Sequence, residues 1–310
     1  MKKIKRKIAN WNIRMAFPYL VFMGGYIVFA CVQRERFLTV ANMKTIIQQS
    51  SVMAIAALGL LFVIIQGEMD LSVSSVMGLA GFICADFAQE NILLAIAVGI
   101  LTGTCIGLIN GLIYTYLCIP SMIVTVGMHM ILTGVMRIYS GSRSLLFGME
   151  MKAFGKYPKL LFVLAIITAA SHILLKHRPF GRYCMAIGGD KKLCQLNRIP
   201  VKKINTLAFA VSGTLAAIAG IIKGCRIGFA VPTSDIAYSF ECITAVAIGG
   251  ASLTGGVGSV INTIVGTMTI SMISNGLMIT GITAELRDIC TGVFLILSVY
   301  ISLKRGHDAL

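Results

Sequence analysis

Apolar stretches of about 17 to 25 residues, the length that crosses a bilayer as a helix, follow one another almost without interruption along this 310-residue chain. The pattern places about ten of them, at Phe17–Gln33, Thr45–Ile65, Leu71–Phe87, Ile92–Leu117, Ser121–Tyr139, Leu160–Leu175, Ile204–Ile222, Tyr238–Gly249, Val257–Ile279 and Leu286–Leu303. With 57% of residues hydrophobic, 13% charged and a mean hydropathy of +0.87, a water-soluble domain is excluded. The expected fold is all-α: a polytopic integral membrane protein whose spans satisfy their own backbone hydrogen bonds. The eighth stretch is too short to cross alone. It reads as a broken or partial helix, which membrane depth tolerates only where protein covers the free backbone groups.

The net charge of +15 has to be read on that background. Basic residues gather at the ends of apolar runs and form no single face, which fits membrane topology and not nucleic-acid binding. With the N-terminus inside and ten alternating segments, one side collects six basic residues ahead of the first span, namely Lys2, Lys3, Lys5, Arg6, Lys7 and Arg14. The same side holds eight from Lys176 to Lys203, together with Lys304 and Arg305. Sixteen of the 27 basic residues then face the cytoplasm, where both termini are expected. The domain reading is a basic cytoplasmic segment over 1–16, one transmembrane domain over 17–303 with a cytoplasmic loop at 176–203, and a tail at 304–310. The first apolar run continues through Cys31 and Gln33 without a small-residue cleavage site, so it reads as a retained span. Nine cysteines lie at least ten residues apart and mostly within apolar runs, where they act as small hydrophobes; no metal site or disulfide framework is indicated.

Several local patterns stand out. Gly99, Gly103, Gly107 and Gly111 recur at every fourth position and form a smooth helix stripe, suited to close helix packing or to lining a path. Gly220, Gly224 and Gly228 repeat the spacing. GGASLTGGVGS, Gly249 to Ser259, has five glycines in eleven residues and must interrupt a helix, either as a tight turn or as a discontinuity beside a transport path. GEMDLSVSS, Gly67 to Ser75, joins two apolar runs. There Asp70 is placed to cap the following helix, Glu68 to face an interface or cavity, and Ser72, Ser74 and Ser75 either to pack or to line a hydrophilic surface. PSMIVTVGMHMILTGVMRIYSG, Pro120 to Gly141, sets Thr125 and His129 within a span; the histidine suits either a neutral bond between helices or a pathway role.

Enzyme chemistry finds no support. The chain contains no GxxxxGK[ST] phosphate loop, no GxSxG elbow, no HExxH and no dinucleotide fingerprint, so it is not expected to hydrolyse ATP or bind a cofactor. Its dispersed intramembrane carboxylates make a poor proton relay, although an ion-driven carrier using His129 with Glu68 or Glu241 remains the alternative.

Taken in order, GEMDLSVSS, PSMIVTVGMHMILTG, FGRYCMAIGGD, VSGTLAAIAGII and AVAIGGASLTGGVGS resemble the permease subunits of bacterial ribose-type ABC sugar importers, a family that includes xylose, galactose and autoinducer-2 permeases. The resemblance covers about Ala54 to Ser302. It implies a bacterial inner-membrane protein importing a monosaccharide or similar solute, paired with a second permease subunit. It also implies two cytoplasmic ATPase copies, which would use ATP and Mg, and an extracytoplasmic sugar-binding protein. On this resemblance Gly188, Gly189, Asp190, Lys191, Lys192, Leu193, Leu196 and Arg198 are the ATPase-coupling segment. Glu68, Asp70, Ser72, Ser74, Thr125, His129, Gly249, Gly250, Ser252, Gly255 and Gly256 are candidates for the path or its gate, and Arg226 and Asp235 for the binding-protein dock. The residues themselves add that Asp190 can cap a short helix over Lys191–Leu196, with Leu193 and Leu196 sharing a face. The chain departs from the family at Glu68 and Ser74, where glycine is common. It departs again at Lys192, Leu193, Asn197 and Arg198, where small residues followed by Ser-Gly are common.

Overall fold

The computed structural model describes residues 2–283 except 142, and beyond them 285–286, 289–294, 296–297 and 300; side chains are described from residue 16 onward. Its first elements are α1 Lys2–Val32, α2 Arg34–Phe37, α3 Val40–Ile64, α4 Val73–Phe87, α5 Ile92–Leu117, α6 Ser121–Ser140, β1 Leu145–Leu146 and α7 Met149–Lys152. After these come α8 Lys159–Lys176, α9 Pro179–Gly189, α10 Lys191–Leu196, α11 Val201–Ile227, β2 Phe229–Ala230, α12 Ile236–Ile248 and α13 Val260–Ile279. Among the described residues six helices, α3, α5, α6, α8, α11 and α13, are long and apolar enough to cross a membrane. Three shorter apolar helices lie at Ala16–Val32, Val73–Phe87 and Ile236–Ile248. The expected tenth span, Leu286–Leu303, falls partly outside the described residues, and the tail at 304–310 lies wholly outside them.

Helices begin and stop where local chemistry dictates. Asn91 accepts from the amides of Leu93 and Leu94 to open α5, and Ser259 accepts from Asn262 to open α13. α11 ends on Gly228 in the left-handed region at φ +95°. The helix runs on to Ile227, beyond the expected Ile222, and so draws Lys223 and Arg226 into it.

At the centre stand α3 and α11. Every residue from Ser50 to Ile65 is buried, so α3 is apolar all round because protein surrounds it. α11 packs on α3, α4 and α5. The glycine stripe of α5 is a packing surface: a β-carbon at Gly103 or Gly107 would overlap the Gly213 or Phe209 carbonyl of α11, and one at Gly111 would stand 2.7 Å from the Thr206 Cα. Gly220 and Gly224 serve likewise against Met77 and the Phe147 ring, whereas Gly228 is the helix cap. β1 and β2 pair antiparallel, Leu145 with Ala230 and Leu146 with Phe229.

The expected start of the third span at Leu71 is displaced. Helix α4 begins at Val73, its cap position is Ser72, and Gly67–Ser72 is non-helical. Asp70 is therefore not the cap of α4; its Oδ1 accepts from the Ser72 amide two residues on, a local bond that competes with helix formation. Burial deepens along this segment. Gly67 is exposed, Glu68 and Met69 are half-buried, and Asp70, Leu71 and Ser72 are buried.

Candidate functional site

A cavity of about 350 Å³ opens between the N-terminal halves of α3, α4 and α12 and the C-terminal halves of α11 and α13. Its wall mixes apolar residues such as Val52, Met53 and Met77 with Gln49, Ser74, Lys223, Arg226, Asp235, Tyr238, Glu241, Ser271 and Ser274. The volume falls within the range of small-molecule sites, and polar groups set in an apolar frame are what a hydrophilic solute crossing a membrane needs. Lys223 Nζ stands 4.7 Å from the centroid of the Tyr238 ring, a cation held on an aromatic face. Asp235 Oδ1 accepts from the Ala237 amide and opens α12.

Among the expected path residues, Ser74 alone reaches this cavity, and several of the others support it from behind. Ser74 N donates to Ser239 Oγ at 3.1 Å, Ser239 Oγ donates to the Leu71 carbonyl at 3.0 Å, and Ser74 Oγ lies 3.4 Å from His129 Nδ1. His129 is thus a buried, hydrogen-bonded residue between helices. Thr125 Oγ1 accepts from the Leu71 amide. Asp70, 1% exposed, accepts from Ser72 Oγ at 2.6 Å and from Ser212 Oγ at 2.8 Å, while Asn110 Nδ2 donates to Ser72 Oγ at 2.9 Å. α5, α11 and the unwound segment are joined around that carboxylate.

Glu68 lies toward the other end of the segment. Its carboxylate accepts from Tyr114 Oη and, at 2.8 Å, from Ser121 Oγ. Lys191 Nζ, at the start of α10, donates to Tyr114 Oη at 2.8 Å and pairs with Glu68 Oε1 at 3.8 Å. Glu68 and His129 share no hydrogen bond among the described residues, so they form no direct relay pair.

Three glycine segments that are distant in sequence converge at this same end. Gly256 N donates to the Ile65 carbonyl at 2.8 Å. A β-carbon at Gly188 would overlap that carbonyl oxygen and the Gly256 amide, and one at Gly255 would stand 2.8 Å from the Gly188 Cα and 2.9 Å from the Gly67 amide. Gly250, Gly255 and Gly256 adopt φ of +83°, +94° and +82°, so GGASLTGGVGS is a break that only glycine fits easily. Gly249 packs on Asn262 and Thr263, and Ser252 bonds Thr254. None of the expected gate residues of this loop, Gly249, Gly250, Ser252, Gly255 and Gly256, lines the cavity.

Beside the junction, Asp190 Oδ1 accepts from the Leu193 amide at 2.9 Å and caps α10. Leu193 is 56% and Leu196 81% exposed, apolar side chains left facing outward with Lys192 and Arg198 also exposed beside them. Gly189 has open space at its β-position. Arg226 and Asp235, expected at a docking rim, both belong to the cavity wall. Sequence reasoning missed Gln49, Lys223, Tyr238, Ser271 and Ser274 as wall residues, and took Glu241 only as a relay candidate; charged Lys223 abutting an apolar run was the available signal.

Residues 42–299 match a family model described as branched-chain amino acid transport system / permease component. The ribose import permease protein RbsC of Escherichia coli (strain K12) is 32% identical over 281 residues, covering 87% of this chain and 88% of its own. RbsC of Haemophilus influenzae is 33% identical, with 97% and 99% covered, and the galactose/methyl galactoside import permease protein MglC of Escherichia coli is 29% identical, with 94% and 97% covered. No solved structure matches the chain.

Proposed function

The chain belongs to the branched-chain amino acid transport system / permease component family, and from that premise we propose that it is the inner-membrane permease subunit of an ATP-driven sugar importer. The observation that carries this reading is near-full-length similarity to ribose and galactose import permeases. In this reading both termini are cytoplasmic and the cavity holds a monosaccharide-sized polar solute handed over by a binding protein, with Arg226 and Asp235 near its entrance. A second permease subunit completes the membrane part. Two ATPase copies sit on the cytoplasmic side, one of them against α10, and they rather than this chain use ATP with Mg.

The test is uptake of ribose into membrane vesicles. Import is expected to require ATP on the cytoplasmic side together with the ATPase and binding protein. Uptake by this chain alone, abolished by a protonophore, would overturn the proposal.

The outward leucines of α10 give a sharper expectation. A partner groove that buries Leu193 would leave the carboxylate of Leu193→Asp desolvated and unpaired, a loss of about 3 kcal/mol or more. Substrate-stimulated ATPase activity of the reconstituted complex should fall by about a hundredfold at that loss, while membrane insertion of the variant stays normal. Undiminished stimulation would detach α10 from the ATPase.

A further inference from the structure

We propose that the segment Glu68–Ser74, the unwound stretch together with the first residues of α4, is the mechanical link between α10 and the solute cavity, and that Lys191 and Glu68 are the positioning residues that engage it. The inference rests on the importer reading for its biological meaning, but its physical content lies in the chain itself. Gly67–Ser72 is non-helical backbone running between the α10 end of the bundle and the cavity, and Ser74, two residues on, is part of the cavity wall. One segment therefore touches both places.

The segment is also stiff. Non-helical backbone at membrane depth persists only where protein satisfies its polar groups, and here five amides of the segment have partners. Glu68 N donates to the Val63 carbonyl, Met69 N to Ser121 Oγ, Leu71 N to Thr125 Oγ1, Ser72 N to Asp70 Oδ1 and Ser74 N to Ser239 Oγ. These bonds fasten it to α6 through Ser121 and Thr125 and to α12 through Ser239, and the Asp70 carboxylate adds Ser212 of α11. Two of those helices, α11 and α12, line the cavity. A displacement at Glu68 cannot be absorbed by a slack loop and reaches the cavity wall.

The grip on α10 is more than a surface ion pair, which alone contributes little. Lys191 Nζ donates to Tyr114 Oη, which itself donates to Glu68, and the ammonium sits 5.2 Å from the centre of the Tyr114 ring. Tyr114 is 8% exposed, so the cluster is anchored in the bundle while Lys191 remains on α10. A partner covering α10 would exclude water from this cluster and strengthen it.

Hydrogen exchange on the purified full-length permease tests the link without partners or substrate. Lys191→Gln should accelerate exchange of the Met69, Leu71, Ser72 and Ser74 amides about fivefold or more, leave α8 unchanged, and be corrected by Lys191→Arg. Acceleration confined to Glu68 or α10 would overturn the proposal. In the assembled transporter, with ribose as the probe, Lys191→Gln should raise the ATP consumed per solute imported by about fivefold. A wild-type ratio in that variant would also overturn the link and leave the importer reading intact. ATP-independent ribose uptake by the wild type, with the exchange pattern as expected, would remove the importer reading and leave the link standing.

Discussion

Gly188→Val should all but abolish recovery of folded permease, whereas Gly189→Ala, one residue away, should leave it unchanged. Any side chain at Gly188 meets backbone on two sides, the Ile65 carbonyl just past the end of α3 and the Gly256 amide beside it. Neither can retreat independently, because Gly256 N donates to Ile65 O and the two move as one. The clash therefore prises apart the α9 terminus, the α3 terminus and the glycine loop before α13. An overpacked backbone junction of this kind belongs with the rare substitutions that exceed about 4 kcal/mol. Gly189 has open space around its β-position, and alanine there lowers the chain's unfolded-state entropy at no steric cost. The measurement is the temperature at which detergent-extracted protein loses its monodisperse chromatographic peak. Equal values for Gly188→Val and wild type would mean that the junction is open in the membrane.

That contrast marks the boundary of what the sequence reveals. Two adjacent glycines look alike in FGRYCMAIGGD, and only the arrival of Ile65 and Gly256 from elsewhere in the chain separates them. Features encoded locally are legible. The α5 glycine stripe announces close packing through its fourfold spacing, and the short helix over Lys191–Leu196 follows from a capping carboxylate placed after two glycines. The interruption at Gly249–Ser259 is likewise visible in its composition. Boundaries set by tertiary partners are not. The apolar run suggests that α11 stops at Ile222, but the Tyr238 ring and the cavity shelter Lys223, so the helix continues to Ile227 and carries charge into the wall. Likewise Asp70 looks like a cap for α4, because nothing near it in sequence discloses the hydroxyl of Ser212. The polar motifs are visible one by one; their division between a cavity, a buried hub and an α10 clasp is a matter of packing.

Asp70→Ala is expected to destabilise the permease severely and to act on transport as well. The carboxylate receives three donors, Ser72 N, Ser72 Oγ and Ser212 Oγ, and is sealed from water. Alanine leaves those donors without their acceptor and leaves Asn110 bonded to a serine that has lost its own partner. Each stranded buried donor costs about 1 to 3 kcal/mol, so a loss of about 4 kcal/mol is expected after partial relaxation. Asp70→Asn keeps the volume and one acceptor oxygen, but its amide nitrogen must face a hydroxyl or an amide that now donates. Its loss should be smaller, about 2 kcal/mol, since a serine hydroxyl can rotate to accept. The two substitutions therefore have a required order, wild type above asparagine above alanine, in the thermal stability of the extracted protein. A Ser212→Ala exchange in the Asp70→Ala background should add little, because the bond it would break is already gone. Full additivity of those two substitutions would show that the hydroxyl and the carboxylate act independently, and that Asp70 does not tie α11 to the unwound segment.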